Sequence, residues 1–292
     1  MEFTKPITAV IKQRTSIRTY AKRPIESSKE ALLKEFIASH QTWPFQTNMR
    51  FQLMTAHPDD VDALKGLGTY GVIRNPSGFI VGAMEPGRKN LEDFGYIMEH
   101  IILFATDLGL GTCWLGGSFR QSNFAKAIAA SEHESLPAVT SIGNIAEKPS
   151  LRDTFFRFVV KPHTRLPWEQ LFCSENFTKP LSQAMAGAYA VPLEMVRLAP
   201  SASNKQPWRI VKAPNHNSFH FYLQRTKGYN RSQSKFFKLA DLQRTDMGIA
   251  MCHFELSAHE LGLQGKWEIT DPGITSLPEL TEYTVSWKYE PM

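Results

Sequence analysis

Four stretches of this 292-residue chain carry residue types and spacings that could do chemistry. RTSIRTY (14–20) sets Arg14, Ser16 and Arg18 at alternate positions. Alternate side chains of an extended segment share one side. Two guanidinium groups and a hydroxyl would then face one way, the donor set that a phosphate monoester wants. By itself the stretch is equally a solvated basic loop after a helix. HTRLPWEQLF (163–172) sets His163 and Arg165 ahead of a proline and a short helix, where a further arginine could close the same pocket or lie on a surface turn. GLGTCWLGG (109–117) reads as a glycine-rich turn after a helix; its amides could approach a flat ligand closely, or the glycines could be a plain helix stop. APSASNKQPW (199–208) stops a helix at Pro200 and follows with the turn formers Ser201, Ser203 and Asn204. Asn204 and Gln206 each offer donors and acceptors, suited to a ring edge of mixed polarity. On composition alone an ordinary helix-to-strand turn anchored by Trp208 explains the same residues.

Other polar residues read as structural. Cys113 has no His or Asp at a recognisable spacing and reads as buried bulk. His100 and His253 lack a second ligand at i+4 and read as histidines of a packing seam. Asp107 and Glu260 read as solvated helix faces. No pair of carboxylates suggests an acid–base system, and no residue cluster suggests a metal site.

The elements that must position these stretches are visible in an internal repeat. DFGYIMEHIILFATDLGLGTCW (93–114) and DMGIAMCHFELSAHELGLQGKW (246–267) align without a gap at an offset of 153. Asp93, Gly95, Met98, His100, Ala105, Leu108, Gly109, Leu110 and Trp114 meet identical residues. Each copy predicts one long helix, with Ile97, Ile101, Phe104, Ala105 and Leu108 at helical spacing in the first. Gly109 and Gly262 stand where a left-handed residue would end each helix. A looser twin of 197–213 occupies 36–56 but lacks Pro-Ser and Gln-Pro-Trp. Conversely, FCSENFTKPLS (172–182), the entry to the second copy, has no arginine. Each half keeps what the other lacks. The join falls near 162–192, giving halves of 1–175 and 176–292 whose helices predict packing against each other.

Composition narrows the function classes. The chain is 42% hydrophobic with a formal net charge of +5, and its basic residues form no long run. A nucleic-acid partner is therefore not expected. Three cysteines without C-x-x-C spacing suit neither a zinc site nor a disulfide framework. The first sixteen residues do not read as a signal peptide, and the apolar run IILFA (101–105) is far too short to span a bilayer. A cytoplasmic protein without a membrane partner is the expectation.

Taken together, RTSIRTY (14–20), APSASNKQPW (199–208), GLGTCWLGG (109–117) and SIGNIAEKP (141–149) resemble the motifs of the nitroreductase family of flavoproteins. The resemblance touches nearly the whole chain. It implies an α+β nitroreductase-like fold with central antiparallel or mixed sheets flanked by helices, and FMN as cofactor. In that family the Arg-x-Ser-x-Arg and Pro-Ser-x-x-Asn pieces come from different subunits of a dimer; here they lie in opposite halves of one chain, as in a fused pseudo-dimer. The resemblance implies that Arg14, Ser16, Arg18 and Arg165 hold the phosphate and ribityl chain. Leu115, Gly116 and Gly117 would present amides near the reactive edge of the ring, and Pro200, Ser201, Ala202 and Asn204 would contact it from the other half. It further implies NADH or NADPH as electron donor, a small-molecule acceptor such as a nitroaromatic or quinone, and ping-pong hydride transfer. No side chain need then act as the catalyst. Since the complementary pieces are missing, one FMN per chain is expected, in a monomer or a homodimer. Oxygen-dependent or dehalogenating flavin chemistry and non-catalytic FMN binding are the alternatives.

Overall fold

The computed structural model describes residues 2–39, 43–56, 64, 66–147, 164–214, 218–229 and 240–290. In the first half, α1 (Ile7–Gln13) and α2 (Ser27–Ser39) precede β1 (Met49–Thr55) and β2 (Gly78–Met84). The long α3 (Asn90–Asp107), β3 (Leu110–Leu115), α4 (Gln121–Ala127) and β4 (Val139–Asn144) follow. In the second, α5 (Trp168–Leu171), β5 (Phe172–Ser174), α6 (Gln183–Ala186) and α7 (Ala190–Leu198) lead into β6 (Trp208–Lys212) and β7 (Phe219–Gln224). The long α8 (Leu242–Glu260), β8 (Gly265–Glu268) and β9 (Thr281–Tyr289) complete it.

The repeat read from sequence has a counterpart in topology. The first sheet runs β1-β2-β4-β3 and the second β5-β6-β7-β9-β8, so the antiparallel parts share one strand order. β5 alone is parallel, paired with β6, and stands outside the antiparallel strand order that the two sheets share. Strand side chains alternate between faces. Ile80 and Ile142 therefore join a core cluster shared by both halves, while Phe79, Val81 and Val139 join a second cluster on the sheet's other face.

α3 and α8 cross where the repeat places glycine. A Cβ on Gly95 would stand 2.1 Å from the carbonyl oxygen of Thr245, and one on Gly248 would stand 1.9 Å from that of Glu92. Both pairs are related by the 153-residue offset, so each helix receives the other's backbone at the same place. Gly109 and Gly262 take left-handed angles of φ +78° and +73° at the ends of these helices.

Two expectations are corrected here. GLGTCWLGG is mostly strand: Leu110–Leu115 pairs along β4, and the turn begins only at Gly116. Gly111 is small because the 14–20 segment crosses it; a Cβ there would lie 2.9 Å from Ile17 Cγ1. Asp107 is not on a solvated face, whereas Glu260 is exposed as expected. Asp107 is buried and accepts hydrogen bonds from Thr4 N (2.6 Å) and Thr4 Oγ1 (3.0 Å), while Lys5 Nζ reaches its backbone oxygen at 2.9 Å. Glu260 accepts from Ile7 N and Thr8 N at the start of α1. An orphan helix N-terminus attracts carboxylates, and Glu260 at the end of α8 supplies one.

Candidate functional site

The segment carrying the first arginines is pinned in extended form. Ile17 N donates to Thr112 O (2.8 Å), Arg74 N to Arg18 O (2.8 Å) and Tyr20 N to Arg74 O (3.1 Å). Ser16 thereby bridges Thr112 on β3. Across from it, the turn after α7 is held under backbone strain. Ser203, Asn204 and Gln206 all have positive φ, at 51°, 54° and 49°. Non-glycine residues seldom sit there unless their surroundings fix them. Gln206 N donates to Ser201 Oγ (2.8 Å), and Ala202 N donates to Asp246 Oδ1 on α8 (2.9 Å).

A cavity of about 540 Å³ lies between these segments. Arg14, Ser16, Arg18, Leu115, Gly116, Gly117, Arg165, Pro200, Ser201, Ala202 and Asn204 all line it, so the residues that the resemblance implied meet at one place. The cavity draws on both halves and opens along the end of β3. Its walls also include residues that motif reading missed: Ile11, Lys12, Leu198, Tyr229 and, from α8, Leu242, Thr245, Asp246 and Ile249. For Asp246 the signal was present in the repeated Asp-x-Gly opening of the long helices. The others carry none, being ordinary helix and loop positions.

The basic end is electrostatically loaded. Arg14 is buried, and its Nε has no hydrogen-bond acceptor among the described residues; the nearest carboxylate oxygen, Glu99 Oε1, is 3.7 Å away. Arg165 Nη1 donates to Asn204 Oδ1 (3.0 Å) and Nη2 to Leu198 O (2.9 Å). Burial, then the charges of Arg14 and Arg197, bring the Arg165 guanidinium down to about 10. Cations held together out of water raise each other's energy, and an anion between them relieves it. This is the physical signature of an anion site.

Asn204 and Gln206 are used differently from the reading of their composition. The Asn204 amide donates to Thr164 O (2.9 Å) while its oxygen takes Arg165; Gln206 Oε1 accepts from Leu166 N (2.8 Å). Their mixed polarity fastens residues 164–166 onto the strained turn and so aims Arg165. Gly116, likewise, makes room for a neighbour: a Cβ there would be 2.6 Å from Leu242 Cδ1. His163, and Lys148 and Pro149 of the fourth motif, lie outside the described residues.

Behind the arginines Glu99 joins the halves. Its Oε2 accepts from Trp114 Nε1 (2.7 Å), and its Oε1 lies 2.9 Å from His253 Nε2. Both acid and histidine side chains are fully buried. His253 Nδ1 lies 2.9 Å from Met195 O. A carbonyl only accepts, so that nitrogen carries a hydrogen. His253 is thus a seam histidine, and His100 stacks on Phe3 at 5.7 Å. Asp246, by contrast, has Oδ2 buried with no partner among the described residues, and burial pushes its carboxyl well above the usual carboxylate range. Its repeat counterpart Asp93 is filled by its own half, accepting from Phe45 N (3.0 Å), Thr47 N (3.1 Å) and Thr47 Oγ1 (2.9 Å).

The family model described as "Putative TM nitroreductase" matches residues 6–258, most of the chain and both arms of the cavity. The chain belongs to the TM nitroreductase family. A Thermotoga maritima MSB8 protein with a similar description shares the TM nitroreductase fold over 100% of this chain and 97% of its own, at TM-score 0.60 and 19% identity. Half-length likenesses include an Exiguobacterium sibiricum nitroreductase in complex with FMN (52% of this chain, 94% of that one, TM-score 0.41, 16% identity). A Bacteroides fragilis nitroreductase with bound FMN is another (51% and 92%, TM-score 0.39, 19% identity). No curated protein matches the chain. Among the described residues, no helix of this TM nitroreductase is long and apolar enough to cross a membrane.

Proposed function

We propose that this protein is an FMN-dependent oxidoreductase that takes electrons from NADH or NADPH and passes them to a small nitroaromatic- or quinone-type acceptor. The observation that carries the reading is the convergence of Arg14, Ser16, Arg18 and Arg165 with the Leu115–Gly117 corner and the Pro200–Asn204 turn around one cavity. The buried Arg14 and Arg165 fit a phosphate dianion, which would take up the donor hydrogens and ease the repulsion between them.

When bound, FMN supplies the hydride chemistry at its ring. The chain's residues have simpler tasks. Arg14, Arg18 and Arg165 hold the phosphate with Ser16, while Glu99 backs Arg14 and Asn204 orients Arg165. Leu115, Gly116 and Gly117 offer backbone amides to the ring edge. Pro200, Ser201 and Ala202 give the other half's face to the ring, and Leu198, Leu242 and Ile249 exclude water. Donor and acceptor would use the same face in turn, which makes the kinetics ping-pong.

The halves 1–175 and 176–292 each contribute one arm, and the reciprocal arms are absent from the sequence. The reading therefore calls for one FMN per chain. Denaturing the purified protein and measuring the flavin released tests it. One per chain is expected; two would remove the asymmetry argument. None after incubation with FMN would remove the flavoenzyme reading.

A further inference from the structure

A second cavity, of about 440 Å³, shares the Gly116–Gly117 wall with the first. Its other walls include Tyr70 and Arg120. Tyr70 is 58% exposed and has a φ of 49°, a conformation that a bulky residue rarely adopts. Such a position is kept where its surroundings over-determine it, and here they do. Arg120 N donates to Gly68 O (2.9 Å), and the Arg120 side chain fills the space over Gly68, where a Cβ would come within 2.8 Å of its Cδ. Asn123 Nδ2 donates to Gly66 O (2.6 Å). The loop then runs on to Arg74, whose N donates to Arg18 O in the arginine segment. The result is an exposed aromatic ring with the Arg120 guanidinium carbon 5.9 Å from its centroid. A guanidinium held over a ring by cation–π attraction keeps N–H donors available to an anion.

We propose that this second cavity is the subsite for the phosphoadenosine end of a reduced pyridine dinucleotide, with adenine on Tyr70 and a phosphate on Arg120. The choice of ligand rests on the flavin reading above. On that reading Gly116 and Gly117 flank the reactive ring edge. A ligand reaching from that edge into the second cavity needs a reactive ring at one end and an aromatic, anionic tail at the other. The dinucleotide has both, and the stack-and-charge pair is the chemistry that recognises such a tail.

Two measurements test it. Calorimetric titration of ADP-ribose into the protein reads the subsite without turnover: wild type binds, and Arg120→Ala and Tyr70→Ala bind weakly or not at all, with thermal melts showing both variants folded. Stopped-flow bleaching of the FMN-loaded protein then compares NADH with reduced nicotinamide mononucleotide, which lacks the adenosine end. Arg120→Ala raises the apparent Kd for NADH about 10- to 100-fold, with the limiting rate unchanged and the mononucleotide unaffected. Failure of wild type to bind ADP-ribose overturns the proposal. So does an equal effect on both donors, no effect on either, or an effect confined to the acceptor. If the chain takes up no FMN, Arg120-dependent binding of ADP-ribose upholds the subsite while the flavin reading falls. Flavin loading without such binding does the reverse.

Discussion

Gly248→Ala places one methyl group at the crossing of the two long helices. Its Cβ would stand 1.9 Å from the Glu92 carbonyl oxygen and 2.8 Å from both Glu92 C and Tyr96 N. All three are backbone atoms of α3, so no side chain can swing away. To reach even 3.0 Å, the helices must separate by 1.1 Å at that point. Overpacking of a core costs roughly 1–3 kcal/mol, and a backbone-on-backbone clash belongs at the upper end. Alanine's better helix propensity returns about 1 kcal/mol. The expected result is a loss of about 2 kcal/mol, which lowers the thermal midpoint by about 3 °C in a chain of this size. Urea titration followed by tryptophan fluorescence measures it. The same opening displaces Thr245 and Asp246 from the cavity wall, so flavin retention should fall in parallel. Gly95→Ala asks for the same separation from the other side, and the double variant should cost less than the sum of the two. If Gly248→Ala leaves the midpoint unchanged or raises it, as propensity alone would, the close crossing does not exist and the paired-glycine argument fails.

Other outcomes follow from named contacts. Arg165→Met should weaken FMN binding about 10- to 100-fold by loss of a charge-assisted contact, read by flavin fluorescence. The flavin-free chain should lose little stability, because burial and neighbouring arginines already hold that charge down at about 10. Burial raises the Asp93 carboxyl from 3.8 to about 6 despite its hydrogen bonds to Thr47 and Phe45. The folded state therefore binds more protons than the unfolded one across that window, and the Asp93 contribution to stability is lost as pH rises from about 4 to 6. Melts of Asp93→Asn across the same range should show a flatter profile; an unchanged slope would assign it elsewhere. Asp107→Ala removes the acceptor for Thr4 N and Thr4 Oγ1. It should cost about 1–2 kcal/mol and speed amide exchange in residues 4–8, which precede Arg14.

Much of this was legible in the chain as written. The 153-residue repeat reported the two long helices and their left-handed glycine ends, because a helix's apolar period and its stop residue are local facts. Arg14, Ser16 and Arg18 could be read as one donor face because alternation along an extended segment is also local. The meeting of the arginine segment, the Leu115–Gly117 corner and the Pro200–Asn204 turn could be anticipated from the family resemblance.

What the residues do to one another needed tertiary structure. Asn204 and Gln206 looked suited to a ring edge, yet residues 164–166, some forty positions away in sequence, occupy their polar groups. GLGTCWLGG looked like a turn, but strand pairing with β4 overrides glycine's weak local preference from Leu110 to Leu115. Asp107 looked like a solvent-facing residue until Thr4, in the segment ahead of α1, was set against it. Asp93 and Asp246 are the same residue at the same repeat position; one is filled by its own loop and the other faces a cavity. Residue type and spacing determine what a side chain can offer. Which offers are taken up depends on what the fold brings within about 3 Å, and that distance is set by contacts between segments far apart in the chain.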